Sequence, residues 1–121
     1  MKKILVVDDE KEIRELIKEG LEKNKYTALT ASSGQEALAL CKIHKPDLVL
    51  LDIAMPLMDG YQVCAALKQD VQTQTIPVIF LTGKDLDPHG ILERSQDLGA
   101  SGYVNKPSTL RDLLEKIKEI L

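Results

Sequence analysis

Short aliphatic runs recur along the chain, and each is followed by a stretch with helical periodicity. Ile4-Leu5-Val6-Val7, Leu48-Val49-Leu50-Leu51 and Val78-Ile79-Phe80-Leu81 are unbroken apolar segments of strand length. Unbroken runs, rather than in-out alternation, are the pattern of parallel strands covered on both faces. Tyr26 to Ala31 is more polar, carrying Thr27 and Thr30, which predicts an edge strand. Gly102-Tyr103-Val104 is the weakest strand signal. Between these runs, Ile13, Leu16, Ile17, Gly20 and Leu21 fall at i, i+3, i+4, i+7 and i+8, a single helical stripe, and Leu110, Leu113, Leu114, Ile117 and Leu121 do the same at the far end. Ser33-Gly34-Gln35-Glu36 has the form of a capping box and opens a helix through Cys41. Asp59 is placed as the N-cap of a helix carrying Val63, Cys64 and Leu67. Asp87-Pro88 sets a capping residue before a proline at the first helical position, and the helix that follows, Ile91 to Leu98, has only a thin apolar stripe. Gly90 early in that helix suggests an element that is mobile or shifted.

The alternation is (βα) repeated five times, with no linker, internal repeat or low-complexity tract. It predicts an α/β fold with a parallel sheet and helices on both faces. Five strands are too few to close a (β/α)8 barrel, so an open doubly wound sheet of the flavodoxin-like kind remains, one domain spanning 1–121 with no effector domain. The length of 121 residues suits one domain. Charge changes the picture in one respect: 16 Lys+Arg against 19 Asp+Glu give a net charge of −3, unlike a module that binds a phosphate backbone through clustered basic side chains. No apolar run approaches the length of a membrane span or a signal-peptide core. Cys41 and Cys64 make neither a disulfide framework nor a metal cluster; buried, reduced thiols fit a cytoplasmic protein.

In open α/β sheets, ligands bind beyond the carboxyl ends of the strands, so the residue after each apolar run carries the most information. Asp8 and Asp9 follow Val7, Asp52 follows Leu51, Thr82 follows Leu81, and Asn105 and Lys106 follow Val104. Taken singly, each has a structural explanation: a cap of the first helix for the acids, a turn hydroxyl for Thr82, a solvated charge for Lys106. Taken together, four such placements at one sheet rim are hard to assign to capping. Two carboxylates about 4 Å apart repel by about 4 kcal/mol at an effective dielectric of ~20. Converging acids therefore call for a cation or a raised pKa, and a hard divalent ion with oxygen ligands is their usual use. A carboxylate with a metal, a lysine and a hydroxyl around it suits a transferred phosphoryl group, the carboxylate acting as nucleophile to form an acyl phosphate. Neither a G-x-G-x-x-G nor a G-x-x-x-x-G-K-[ST] loop is present. A flavodoxin-type phosphate site is excluded by the three acids of the first loop. His44 is better explained as a charge at a helix C-terminus than as a catalyst.

Four blocks carry a family resemblance: Ile4-Leu5-Val6-Val7-Asp8-Asp9-Glu10, Asp47 through the Asp52-Ile53-Ala54-Met55-Pro56-Leu57-Met58-Asp59-Gly60 segment, Leu81-Thr82-Gly83, and Gly99-Ala100-Ser101-Gly102-Tyr103-Val104-Asn105-Lys106-Pro107. In this order they closely resemble the receiver domain of two-component response regulators, over essentially the whole chain. The resemblance implies a strand order of 2-1-3-4-5 and a Mg²⁺-dependent transfer of a phosphoryl group from a phosphohistidine of a sensor histidine kinase, or of a phosphotransfer protein, onto Asp52. It implies Asp8, Asp9, Asp52 and the Ala54 backbone carbonyl as Mg²⁺ ligands, Lys106 on a phosphoryl oxygen, and a cis Lys106-Pro107 peptide. Thr82 and Tyr103 would be the switch residues, and the face of the fourth helix, last strand and last helix would carry the output, by dimerisation or partner docking. Asp59 and Gly60 are structural in this reading.

Two other functions remain from the sequence. An aspartyl-phosphate phosphatase would use the same acids, but such enzymes generally place a second acid two residues after the nucleophile, where Ala54 stands. A receiver-like interaction module without phosphorylation would not need the intact Asp8, Asp9, Asp52, Thr82 and Lys106 set.

Overall fold

A computed structural model describes residues 1–83, 88–105 and 110–121. Ten elements alternate: β1 (Lys3–Val7), α1 (Lys11–Lys23), β2 (Thr27–Ala31), α2 (Gly34–His44), β3 (Leu48–Asp52), α3 (Gly60–Gln69), β4 (Val78–Thr82), α4 (Pro88–Asp97), β5 (Gly102–Asn105) and α5 (Leu110–Ile120). All strand pairs are parallel, in the order β2-β1-β3-β4-β5. The open doubly wound sheet expected from the alternating pattern is the architecture observed.

Strand parity sorts the apolar residues into two cores, because successive side chains point to opposite faces. Leu5, Val7, Val49, Leu51, Val78 and Phe80 face α2, α3 and α4, packing on Ala37, Cys41, Val63, Cys64, Leu67 and Ile91. Ile4, Val6, Leu48, Leu50, Ile79 and Leu81 face α1 and α5, packing on Ile17, Leu21, Leu113 and Ile117. The unbroken runs of β1, β3 and β4 are buried at both parities for this reason. β2 is half-buried except for Ala31, as an edge strand with two threonines should be.

Three local expectations are corrected. Leu16 is 64% exposed: at 100° per residue it lies about 100° from Ile17 on the helical wheel, so it falls off the buried stripe of Ile17, Gly20 and Leu21. Leu121 lies past the end of α5 and outside the core. The Ser33 box is only half made. Ser33 Oγ accepts from Glu36 N at 3.3 Å, but the Glu36 carboxylate accepts from the Ser32 hydroxyl instead of closing on the Ser33 N–H, and α2 continues past Cys41 to His44. The helix over Pro88–Asp97 does begin at the proline; its expected cap, Asp87, lies outside the described residues.

Both cysteines are free and buried, and burial pushes the Cys41 thiol up to about 11 and the Cys64 thiol in the same direction. A folded chain should therefore resist thiol alkylation at neutral pH, reacting only at the rate of unfolding, which quenched alkylation read by mass would show. The stability consequence has a definite sign. The unfolded thiol ionises near 9 and the folded Cys41 thiol near 11, so the native state holds more protons between those values, and stability falls as pH rises through that window. Comparing denaturant midpoints of the wild type and Cys41→Ala from pH 8 to 11 isolates the slope, which Cys41→Ala should reduce.

Candidate functional site

The carboxyl ends of the strands place the polar residues at one rim. β1 and β3 are in register through Val7 and Leu51, so Asp8, just past the end of β1, and Asp52, the last residue of β3, leave neighbouring strands whose backbones run about 5 Å apart. Asp8 is fully buried and Asp52 is 2% exposed. Both carboxylates are oriented by donors around them. Asp8 Oδ1 accepts from Glu10 N at 2.9 Å, the Asp8 carbonyl accepts from an Arg14 guanidinium nitrogen at 2.7 Å, and Asp52 Oδ1 accepts from Ala54 N at 3.3 Å. Arg14 is a contributor that the strand-end pattern missed, since it lies in α1 and its role depends on how that helix folds back over the first loop.

The acids are not used up as helix caps. Glu10 occupies the N-cap of α1, yet its side chain makes no capping bond. Asp8, Asp9 and Glu10 each offer a carboxylate oxygen within 4.8 Å of the others, Asp8 buried and the other two exposed. This oxygen-only donor set, beside a buried Asp52, fits a hard divalent cation.

Opposite the acids, Thr82 ends β4 fully buried, and its hydroxyl donates to Asn105 Oδ1 at 2.8 Å. The register pairs these two residues directly. Asn105 was visible in the sequence as one of the strand-end polar groups; its tie to the Thr82 hydroxyl was not, because the pairing of β4 with β5 sets it. Tyr103 sits two residues earlier on β5, half-buried against the α2/α3/α4 core and paired in register with Phe80. Lys106 and Pro107, and with them the expected ammonium and cis peptide, lie outside the described residues.

The segment after Asp52 is fixed by α3. Asp59 caps that helix with a complete capping box: its carboxylate accepts from Gln62 N at 2.8 Å, and Gln62 Oε1 accepts from Asp59 N at 2.9 Å. The Gln62 half of the box was not singled out in the sequence. Gly60 N donates to Ile53 O at 2.8 Å, and a Cβ at Gly60 would collide with the Asp52 carbonyl oxygen and lie 2.8 Å from Ile53 Cα. Gly60 thus permits the start of α3 to close on the backbone of Asp52. Ala54 is exposed just beyond it. Tyr61 follows Gly60, edge-on to Phe80 with ring centroids 5.2 Å apart. Burial pushes its phenol up in pKa, a shift that Arg94 opposes and Asp59 adds to.

An α/β protein with a buried acid pair at the carboxyl rim of a β2-β1-β3-β4-β5 sheet is thus defined. Comparison with known proteins makes the class specific: residues 4–118 match the response regulator receiver domain family, and the chain belongs to it. It is 42% identical over 99% of its length to the alkaline phosphatase synthesis transcriptional regulatory protein PhoP of Bacillus subtilis, covering 48% of that protein. It is 40% identical over 99% of its length to the phosphate regulon transcriptional regulatory protein PhoB of Pseudomonas aeruginosa, covering 52% of that one. The chain therefore spans about half the length of these curated relatives. Among solved structures, the chemotaxis protein CheY4 of Vibrio cholerae superposes with a TM-score of 0.92 at 30% identity, over 100% of this chain and 99% of that one. The chain is a receiver domain of two-component response regulators, a signalling fold. Among its described residues no helix is long and apolar enough to cross a membrane.

Proposed function

We propose that Asp52 accepts the phosphoryl group. The observation that carries this is its position: a carboxylate at the end of the central strand β3, 2% exposed, in register beside the buried Asp8. An Asp52 carboxylate oxygen attacks the phosphorus of a kinase or phosphotransfer-protein phosphohistidine. The P–N bond breaks, its electron pair returns to the imidazole, and an acyl phosphate forms on Asp52. Asp8, Asp9, Asp52 and the Ala54 carbonyl would hold Mg²⁺, which when bound neutralises charge on the acids and on the phosphoryl oxygens. The Ala54 N–H, already on Asp52 Oδ1, keeps that carboxylate oriented. Lys106, following Asn105 in sequence, is assigned to a phosphoryl oxygen as a point charge.

Thr82 is the mobile donor of this site. Its hydroxyl rests on Asn105 Oδ1; phosphorylation supplies a stronger, charged acceptor and draws it away, and Tyr103, two residues from Asn105 on the same strand, turns inward. The face of α4, β5 and α5 then presents a changed surface to a partner or a second copy. Thr82→Val, which keeps shape and loses the hydroxyl, should still be labelled at Asp52 but should lose the accompanying change in tyrosine fluorescence.

The module stores a phosphoryl group rather than turning over substrates, because Ala54 stands where a phosphatase would carry its second acid. The whole of 1–121 acts as one receiver domain, working in the cytoplasm where ATP-fed kinases are found. Acetyl phosphate with Mg²⁺ tests the reading directly. Intact-protein mass should show a single phosphoryl adduct, localised to Asp52, that is lost when Mg²⁺ is chelated. Failure of the wild type to label, or hydrolysis of phosphate monoesters over many turnovers, would overturn it.

A further inference from the structure

α4 is attached to the rest of the molecule unevenly. On its outer side the Arg94 guanidinium lies 3.8 Å from the centroid of the Tyr61 ring. At the very next residue, Ser95 is 2% exposed and its hydroxyl has no hydrogen-bond partner among the described residues. A buried hydroxyl without a partner is unfavourable, so the resting seat of α4 does not best satisfy the helix's inward face, while a cation–π stack at the adjacent position holds the helix in it.

Tyr61 is well placed to transmit that hold. It follows Gly60, whose backbone closes on the Asp52 carbonyl, and its ring abuts Phe80, which is paired with Tyr103 and lies two residues before Thr82. One aromatic side chain thus touches α4 on one side and the strand bearing Thr82 on another, and is joined through the chain to the acceptor loop. We propose that the Arg94–Tyr61 stack is a latch that holds α4 in its resting position, and that releasing it lets the helix shift to a seat in which the Ser95 hydroxyl is satisfied. This rests on the assignment of Asp52 as phosphoacceptor. A latch that stabilises the resting state must oppose phosphorylation by the same free energy.

The test is the affinity for beryllofluoride, a phosphoryl mimic, in saturating Mg²⁺, read by ¹⁹F NMR of the bound fluorides. Arg94→Ala should tighten binding about two- to fivefold, the factor that an exposed cation–π contact is worth. Arg94→Lys, which keeps the charge and loses the planar stack, should fall between it and the wild type. Tyr61→Leu should also tighten binding, and the double variant Arg94→Ala/Tyr61→Leu should fall short of the product of the single effects, because both remove the same contact. Ser95→Ala should act in the opposite direction and weaken binding. Opposite signs at adjacent residues are not the result of a general loosening of α4. Equal affinities for the wild type and Arg94→Ala, multiplicative single effects, or a tightening by Ser95→Ala would each overturn the latch while leaving Asp52 in place. A wild type that does not bind beryllofluoride at all would remove the Asp52 assignment and the latch with it.

Discussion

Asp52→Asn is expected to abolish labelling by acetyl phosphate completely and to take with it most of the stabilisation that Mg²⁺ confers. The first effect follows from chemistry: an amide oxygen is a poor nucleophile and its acyl phosphate does not form. The second follows from the rim. Asp8 and Asp52 stand side by side on β1 and β3 with Asp9 and Glu10 adjacent, and a dication that binds only the folded protein stabilises it by about 2.7 kcal/mol at a hundredfold excess over its Kd. Removing one of the two buried carboxylates weakens that binding, so the Mg²⁺-induced rise in Tm should shrink in the variant. A wild-type melting curve that does not move with Mg²⁺ would remove the cation from the proposal, and an Asp52→Asn protein that still labels would move the acceptor elsewhere.

Gly60→Ala should lower both the stability and the labelling rate. The added methyl meets the backbone of Asp52 and Ile53, and neither can swing aside as the tip of a long side chain would. Either α3 lifts, breaking the Gly60 N–H bond to Ile53 O, or the loop after Asp52 is pushed outward. Overpacking of this kind costs about 2 kcal/mol, a fall in Tm of about 8 °C for a domain of this size. The labelling rate should fall along with stability, because the displaced backbone is that of Asp52, the proposed acceptor. A Gly60→Ala protein with wild-type Tm and wild-type labelling would mean that α3 is not seated on Asp52 as described.

The fold and the positions of the acids were legible in the chain because both depend on short-range pattern. An apolar run of four residues, too short for a helix and set between helical stripes, reads as a strand covered on both sides, and the residue that ends it emerges at the rim; Asp8, Asp52 and Thr82 are placed in this way. What the pattern could not supply depends on how elements meet. The tie between Thr82 and Asn105 needs the register of β4 with β5, the Arg14 contact with Asp8 needs the orientation of α1, and the Arg94 stack needs α3 and α4 side by side. Leu16 misled for a related reason: it lies within the spacing of a stripe but at its margin, and only the width of the surface facing α1 decides whether such a residue is covered. The Ser33 box misled because Ser32, a second hydroxyl one residue earlier, competes for the same glutamate.

The sheet order has a consequence for how the chain is made. β1 lies between β2 and β3, so the first three strands to leave the ribosome are neighbours in one contiguous block, whose open edge on β3 is closed only when β4 pairs with it. Asp8 and Asp52 both belong to that block, whereas Thr82 and Asn105 arrive with the last two strands. The charged half of the rim is therefore synthesised before the hydroxyl half, and the pairing of β3 with β4 is the step that joins the two.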